Sequence, residues 1–344
     1  MLVATDRVRH SVHRMLDQLQ YGRSPERFVI YDNAPIGLGG QITGKMHALM
    51  MGLASGRRVL CRYAGYPPYG APHAPISDEG APVGLDFDDL PLFSLADTRR
   101  YVSHDPLRSG FYSNNADVLA AIMSQLGEPV PPLALEGMIL SWLRYTDRAF
   151  NTIAAAGSRL GVGPDTLGVH LRRGDKQVET AFVPAWAINE AIAVLLQRYQ
   201  FTSVFLASDS PSAASEIQVP AGTRLIFDST EPRHNNSNHK MLIDRPHLAE
   251  QETDTAIKNI GLLSMCGGIV GQSNAHFSTL AAAAVVDRYG DLDRLVLVSG
   301  DLAEKNDPVL RWVFQTKRRA RSLAKRLLPW LRAKERIKRS RPSR

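Results

Sequence analysis

Apolar residues along the chain fall into short continuous runs, which alternate with longer segments where they recur every three or four residues. The runs "RFVIYD" at 27–32 and "RRVLCRY" at 57–63 predict two buried strands. Between them, "NAPIGLGG" has the glycine and proline content of a turn, and "QITGKMHALMMGLASG" predicts a helix that ends at Gly56. The N-terminal half therefore starts with a strand, a glycine-rich turn, a helix and a second strand.

The same alternation is more regular in the second half of the chain. Predicted strands lie at 167–171, 203–208, 224–228, 267–271 and 294–299, and predicted helices at 184–199, 252–266 and 276–289. Strands and helices in this alternation are typical of an α/β fold with parallel sheets, here doubly wound in the second half. We predict domains at 1–155 and 156–316, with "AAGSRLGVGPDT" at their boundary, and a tail at 317–344.

Length and composition agree with two ordinary folded domains. A chain of 344 residues is long enough for two domains of roughly 150 residues each. Cys61 and Cys266 are too few for a disulfide framework, which favours a reducing compartment or simple apolar packing. No apolar stretch approaches the roughly 20 residues of a membrane span, and the N-terminus lacks the apolar core of a signal peptide. We therefore expect a cytoplasmic protein.

Charge is distributed unevenly along the chain. Residues 317–344 contain 13 Lys and Arg and one Glu, whereas the rest has 28 Lys and Arg against 33 Asp and Glu. Five apolar residues lie among the basic ones: Leu323, Leu327, Leu328, Trp330 and Leu331. This pattern fits a segment on an anionic membrane surface, where each basic residue contributes about 1 kcal/mol, or alternatively a solvated end. The acidic remainder argues against nucleic-acid binding, so peripheral association with the cytoplasmic membrane face is the expectation.

Polar residues follow three predicted strands of the second half. His170 to Glu179 follow the strand at 167–171, "SDS" at 208–210 follows the next strand, and "QSNAH" at 272–276 precedes a helix. The carboxyl ends of parallel strands meet at one edge of a sheet, where doubly wound folds bind their ligands. We therefore expect the three turns to form one site.

The residue types at this edge suit a nucleoside diphosphate. Arg172 and Arg173 can hold phosphate oxygens, and the helix N-terminus after Gln272 offers free amides to an anion. If the diphosphate is a leaving group, the same cations stabilise its growing charge without a metal ion. A carboxylate of the loop, Glu179 first and Asp175 second, could accept the proton of an incoming hydroxyl.

Four blocks of the sequence resemble a known family. "VHLRRGDKQVETAFVP" resembles the His-x-Arg-Arg loop of the α1,6-fucosyltransferases that modify the chitobiose core of N-glycans. "VFLASDSPSAASE", "IGLLSMCGGIVGQSNAHFSTLA" and "ERFVIYDNAPIGLGGQITGKMHALMMGLASGRRVL" are similar to further motifs of this superfamily, which includes the rhizobial nodulation fucosyltransferases. The resemblance covers residues 27–61 and 167–284.

The resemblance implies a GT-B transferase, with two Rossmann-like domains facing across a cleft and the acceptor on the N-terminal side. It implies an inverting, metal-independent reaction without a cofactor, in which fucose moves from GDP-fucose to a hydroxyl of an oligosaccharide or glycoconjugate. His170 would contact the nucleotide, and Arg172 would hold the β-phosphate with support from Arg173. Lys176 would balance the charge of the loop, and Glu179 would be the base. The other implied donor-binding positions, besides Asp175 as the second candidate base, are Asp209, Ser210, Asn259, Ser273, Asn274, His276, Gly37, Gly39 and Gln41.

Departures from the family pattern leave other functions open. Ser210 stands where a second acid is common, and Asn259 stands where an Asp that recognises guanine is usual. A transferase that uses another nucleotide sugar therefore stays an alternative, as does a non-catalytic protein that binds a sugar nucleotide or glycan. The stretch "DFDDL", with Asp86, Asp88 and Asp89, offers a metal-dependent alternative through Mg²⁺ or Mn²⁺.

Overall fold

The structure is a computed structural model of the chain. It describes residues 6–22, 27–32, 37–62, 71–76, 107–109, 115–174, 181–233, 245–317 and 319–320. Six residues singled out by the sequence lie outside the described residues: Asp175, Lys176, Glu179, Asp86, Asp88 and Asp89. The basic tail from residue 321 onward also lies outside them.

The first unit is a small parallel sheet covered by helices. Its elements are α1 (Asp6–Tyr21), β1 (Phe28–Asp32), α2 (Leu38–Ser55), β2 (Arg58–Arg62), β3 (Leu107–Arg108), α3 (Asn115–Leu126), α4 (Pro132–Trp142) and α5 (Asp147–Leu160). The strands lie in the order β2-β1-β3, and all pairs are parallel. The predicted succession of a strand, a helix and a strand is confirmed; α1 was not predicted.

Helix α2 begins earlier than the sequence pattern indicates. It starts at Leu38, so Gly39, Gly40 and Gln41 belong to its first turn, although the glycines were predicted to form a turn before the helix. The helix ends at Gly56 as predicted, and the φ of 66° there is in the left-handed region that glycine adopts at low cost. Nearly every residue of α2 is buried, so this helix lies inside the first unit.

The second unit is a five-stranded parallel sheet. Its elements are β4 (Thr166–Leu171), α6 (Ala185–Tyr199), β5 (Ser203–Ser208), β6 (Arg224–Ile226), α7 (Ala249–Met265), β7 (Gly268–Gln272), α8 (His276–Tyr289), β8 (Leu295–Val298) and α9 (Leu302–Asn306). The strand order is β6-β5-β4-β7-β8, which is the Rossmann-like order with a switch point between β4 and β7. The predicted α/β class, with two parallel sheets, is confirmed.

Two boundaries in the second unit differ from the prediction. The edge strand β6 ends at Ile226, two residues early, because Asp228 turns into a buried polar network where it accepts hydrogen bonds from Thr230 and Lys258. Helix α7 begins at Ala249, three residues before the predicted start.

The apolar cores of the two units are continuous. One cluster joins residues of α1, α2 and α4 in the first unit to Ile257 and Ile260 of α7 and Leu280 of α8. The predicted domain limit at 155 falls inside α5, and this limit stays a prediction. No helix formed by the described residues has the length and the apolar composition needed to cross a membrane.

Candidate functional site

The carboxyl end of β4 presents a buried histidine beside α8. All six residues of β4 are buried, and His170 is the fifth of them. Its Nδ1 lies 2.8 Å from the Oγ of Ser278, and its ring stacks on Phe277 with centroids 5.4 Å apart. Both partners belong to the first turn of α8, so this contact fixes the start of α8 against the end of β4.

His170 is both hydrogen-bonded and buried. The Oγ of Ser278 accepts a hydrogen bond from the backbone N–H of Gln272 at 3.0 Å. It still has one hydrogen to donate and one lone pair to accept with, so it can partner Nδ1 of His170 in either tautomer. Burial, followed by the positive charge of Arg172, lowers the pKa of His170 from 6.5 to about 3. The imidazole is therefore neutral near pH 7.

The two arginines after β4 have different surroundings. Arg173 directs its guanidinium to Glu216, with Nη2 2.8 Å from Oε2, and only 9% of its side chain is exposed. The guanidinium of Arg173 also lies 5.3 Å from the ring centroid of Phe182. The side chain of Arg172 is 30% exposed, and its Nε lies 4.0 Å from the Oδ2 of Asp209. Arg172 is therefore the member of the pair that solvent and a ligand can reach. Arg173 attaches the loop after β4 to Glu216.

The turn after β5 supports the loop that carries these arginines. Asp209 Oδ1 accepts a hydrogen bond from the backbone N–H of Arg173 at 2.7 Å. A Cβ atom at Gly174 would lie 2.5 Å from Asp209 Oδ2, so any larger residue there would displace the Asp209 carboxylate from its present position. The Oγ of Ser210 lies 3.0 Å from the Oγ of Ser212, so this hydroxyl makes a hydrogen bond within the turn.

The turn after β7 leads directly into α8. Ala275 is the N-cap residue of α8, and its methyl side chain makes no capping hydrogen bond. Ser273 is exposed and anchors the turn: its N–H donates to the carbonyl oxygen of Val298 at 3.0 Å, and its Oγ accepts from the N–H of Gly300 at 3.3 Å. Asn274 is also exposed and packs beside Gly300.

The N-terminus of α2 meets the N-terminus of α8. A Cβ atom at Gly39 would lie 2.9 Å from Cδ2 of Phe277, which explains glycine in a helical position. The Nδ1 of His276 lies 3.1 Å from the Oγ1 of Thr43, which donates its own hydrogen to the carbonyl oxygen of Gly39 at 3.0 Å. His276 is therefore the donor to Thr43. Thr43 was not singled out from the sequence, and nothing in its local pattern distinguishes it.

The other two predicted residues of the N-terminal motif, Gly37 and Gln41, lie at the start of α2 and in its first turn. Gly37 is the N-cap residue of α2, with extended backbone and no side-chain cap for the helix. Gln41 is buried, and its carbonyl oxygen accepts a hydrogen bond from the hydroxyl of Tyr31 at 2.6 Å. Two helix N-termini thus meet beside His170, where the N–H groups of their first turns and the helix dipoles favour a negative charge.

Asn259 lies in a buried polar network beyond β6. Its Nδ2 donates to Glu231 Oε1 at 2.9 Å, and Lys258 Nζ bridges Glu231 Oε2 and Asp228 Oδ2, also at 2.9 Å each. Burial by itself raises the pKa of Asp228. Hydrogen bonds from Thr230, Lys258 and Arg159 outweigh this effect, so the pKa lies well below its ordinary value. No local pattern in the sequence indicates this network, because its acids and bases come from separate segments.

The site combines one accessible guanidinium, one neutral imidazole and two helix N-termini at the switch point of the sheet. Such a set can bind the phosphates of a nucleotide and stabilise added negative charge on them. The predicted loop residues Asp175, Lys176 and Glu179 lie outside the described residues, so their roles stay predictions. Within the described ranges, no group of three or more His, Cys, Asp or Glu is arranged to hold a metal ion.

Solved structures of fucosyltransferases are similar to this chain. A point mutant of Arabidopsis thaliana FUT1 in complex with GDP aligns with a TM-score of 0.49 at 12% identity, over 80% of this chain and 72% of that one. The fucosyltransferase NodZ from Bradyrhizobium aligns with a TM-score of 0.44 at 14% identity, over 75% and 93%. POFUT1 in complex with GDP aligns with a TM-score of 0.42 at 10% identity, over 80% and 99%. No family model matches the sequence, and no curated protein matches it. At these identities the similarity concerns the fold.

Proposed function

We propose that this chain is a glycosyltransferase that binds a nucleotide sugar at the carboxyl edge of its second sheet. The observation that carries the proposal is the position of Arg172. It follows β4 at the switch point between β4 and β7, is partly exposed, lies close to the neutral His170, and has its Nε 4.0 Å from Asp209 Oδ2. This is where doubly wound folds bind nucleotides, and its positive and donor groups suit a diphosphate.

The finer proposal is that the donor is GDP-fucose and that the acceptor is a glycan hydroxyl. It rests on the sequence motifs around Arg172 and Asp209. The acceptor oxygen would attack the anomeric carbon while the bond from that carbon to the β-phosphate oxygen breaks, so the configuration inverts. GDP would leave with one more negative charge, which Arg172 and the amides of α8 would stabilise. The hydroxyl proton would pass to the carboxylate of Glu179, in the role that the resemblance implies.

A second candidate is a protein that binds a sugar nucleotide without catalysis. The environment of Asn259 favours it, because the amide stands where the family has a guanine-reading acid and donates to Glu231. The Oγ of Ser210, at the position of a second acid, lies beside Ser212. Release of GDP from GDP-fucose by the purified protein distinguishes the two candidates, since a binding protein leaves the donor intact.

The experiment that tests the proposed function compares two arginine variants by calorimetric titration with GDP and by donor turnover. Arg172→Ala should weaken GDP binding by about 10- to 100-fold, because a charge-assisted hydrogen bond contributes about 1.5–3 kcal/mol. The matched control is Arg198→Ala, which removes an exposed arginine near the C-terminal end of α6. Equal GDP affinity of the two variants would contradict the site.

The same preparation tests the donor and the metal. Thermal shifts with GDP, UDP and other nucleotides should be largest for the nucleotide that carries the nucleobase of the natural donor. A ligand stabilises the protein in proportion to the logarithm of its concentration over Kd. Turnover should survive EDTA. An EDTA-sensitive activity would favour the metal-dependent alternative at Asp86 and Asp88.

A further inference from the structure

A helix after α9 is fixed to the second unit by one of its sides. Residues 308–317 are helical, as are 319–320, and Asp307 Oδ1 caps this C-terminal helix by accepting from the N–H of Val309 at 2.8 Å. Phe314 is buried, and Arg311 donates from Nε to the carbonyl oxygen of Glu304 at 3.2 Å. The C-terminal helix therefore has a defined inner side and a defined outer side.

The outer side exposes two large apolar residues. Val309 is 69% exposed and Trp312 is 67% exposed, although the burial of Phe314 shows that the same helix can bury apolar side chains. The two residues are three positions apart, so they are neighbours on the helix surface. Exposed apolar residues that adjoin one another in this way form a patch that water disfavours.

This patch, which we call the Trp312 face and define as Val309 and Trp312, immediately precedes the most basic part of the chain. Arg319 is exposed on the same short helix, whereas Arg311 donates to the carbonyl oxygens of Glu304 and Lys305, and Lys317 Nζ lies 4.6 Å from the ring centroid of Phe314. The sequence from 317 to 344 contains 13 Lys and Arg and one Glu. Further along the sequence, Ala320, Leu323 and Leu327 are again three and four residues apart.

We propose that the Trp312 face docks on an anionic lipid membrane, with Trp312 at the level of the headgroups. Tryptophan is favoured at this level because its ring is apolar while its indole N–H can still meet water. Basic residues beside the face are attracted by the negative surface potential, so the apolar and electrostatic contributions act at the same place. The remainder of the chain has an excess of five acidic residues, 33 against 28, and is repelled by such a membrane. The attraction is thus confined to the C-terminal end and orients the protein.

The test uses the full chain in co-sedimentation with phosphatidylcholine vesicles, with and without phosphatidylserine. The wild type should bind the anionic vesicles and not the neutral ones, and added salt should weaken binding. Trp312→Ala should weaken it by about tenfold or more, and Val309→Ala by a smaller factor, because both remove apolar area from the contact. The matched controls are Trp186→Ala and Val194→Ala on α6, which are 57% and 45% exposed and should bind as the wild type does.

Three results would overturn the proposal. Trp312→Ala and Trp186→Ala could bind vesicles equally well, in which case the tail charge alone is responsible. Neutral and anionic vesicles could bind equally well. Wild-type protein could instead form a dimer that Trp312→Ala dissociates, with no vesicle binding, in which case the face contacts a second copy of the chain. None of these results bears on donor binding at Arg172, so the two proposals fail separately.

Discussion

Acid should destabilise this protein through two buried histidines. Burial lowers the pKa of His170 from 6.5 to about 3, with a smaller contribution from Arg172. Burial also lowers the pKa of His73 from 6.5 to about 3, with a smaller contribution from Lys45. The ring of His73 stacks on Tyr145 at 5.0 Å, and its buried Nε2 has no hydrogen-bond partner among the described residues. Between about pH 4 and pH 6, both rings therefore stay neutral in the folded protein and bind a proton only when the protein unfolds.

The sign and size of the effect follow from these pKa values. Between the folded value of about 3 and the unfolded value of 6.5, the unfolded chain binds more protons than the folded protein. Stability therefore falls as the pH falls through this window, and it is insensitive to these groups above it. A pH of about 5 lies about 1.5 units below the pKa of a histidine in the unfolded chain. Protonation of each histidine there lowers the free energy of unfolding by about 2 kcal/mol. Together they should remove about 4 kcal/mol, a large part of the roughly 5–15 kcal/mol of an ordinary domain.

The assay is urea unfolding, followed by tryptophan fluorescence, at several pH values from about 7.5 to about 5, where most carboxylates stay ionised. His73→Phe and His170→Phe should each remove about half of the pH-dependent loss. His73→Phe also removes the buried Nε2, which has no partner in the part of the chain that the structure describes, and should be the more stable of the two at low pH. A wild-type stability that does not change over this range would refute the reasoning. So would variants that lose as much stability as the wild type.

Three further predictions concern contacts that hold the site. Glu216→Ala should lower the free energy of unfolding by about 1–3 kcal/mol, because it leaves the buried guanidinium of Arg173 unpaired, and urea titration measures this loss. The side chain introduced by Gly39→Val should clash with Phe277. It should lower the free energy of unfolding by about 1–3 kcal/mol and should also lower the affinity for GDP. Gly163→Ala is its control because a Cβ atom there meets nothing within 4 Å, and equal effects of both would contradict the close contact. Lys258→Met should destabilise the protein by about 3–5 kcal/mol by leaving the carboxylates of Asp228 and Glu231 without their bridging cation. Adding Glu231→Gln should recover part of that loss, and no recovery would show that the bridge does not couple the two residues.

The periodicity of apolar residues was sufficient to predict most elements. Strand β5 and helix α8 have the predicted limits, and β4 differs by one residue. These elements are predictable because burial follows the local repeat of each element, about two for strands and about 3.6 for helices. The first helix α1 was missed, and the edge strand β6 was predicted too long because Asp228 joins the buried network instead of the sheet.

The site was predictable at the level of position and not of individual contacts. Parallel strands end at a common edge, so the sequence already places His170, Asp209 and Ser273 at that edge. It cannot tell which of the adjacent residues Arg172 and Arg173 stays exposed to solvent. Glu216, which lies 43 residues further along the chain than Arg173, determines that by binding it.

The order of strands and helices, the polar edge and the basic tail are properties of the chain that local pattern and composition establish. The neutral state of His170, the contact of Gly39 with Phe277 and the burial of Asn259 arise only after folding. His170 and Ser278, for example, are separated by 108 residues. Local periodicity reports which side of an element is buried, whereas the partner of a buried polar group is selected by packing between distant segments.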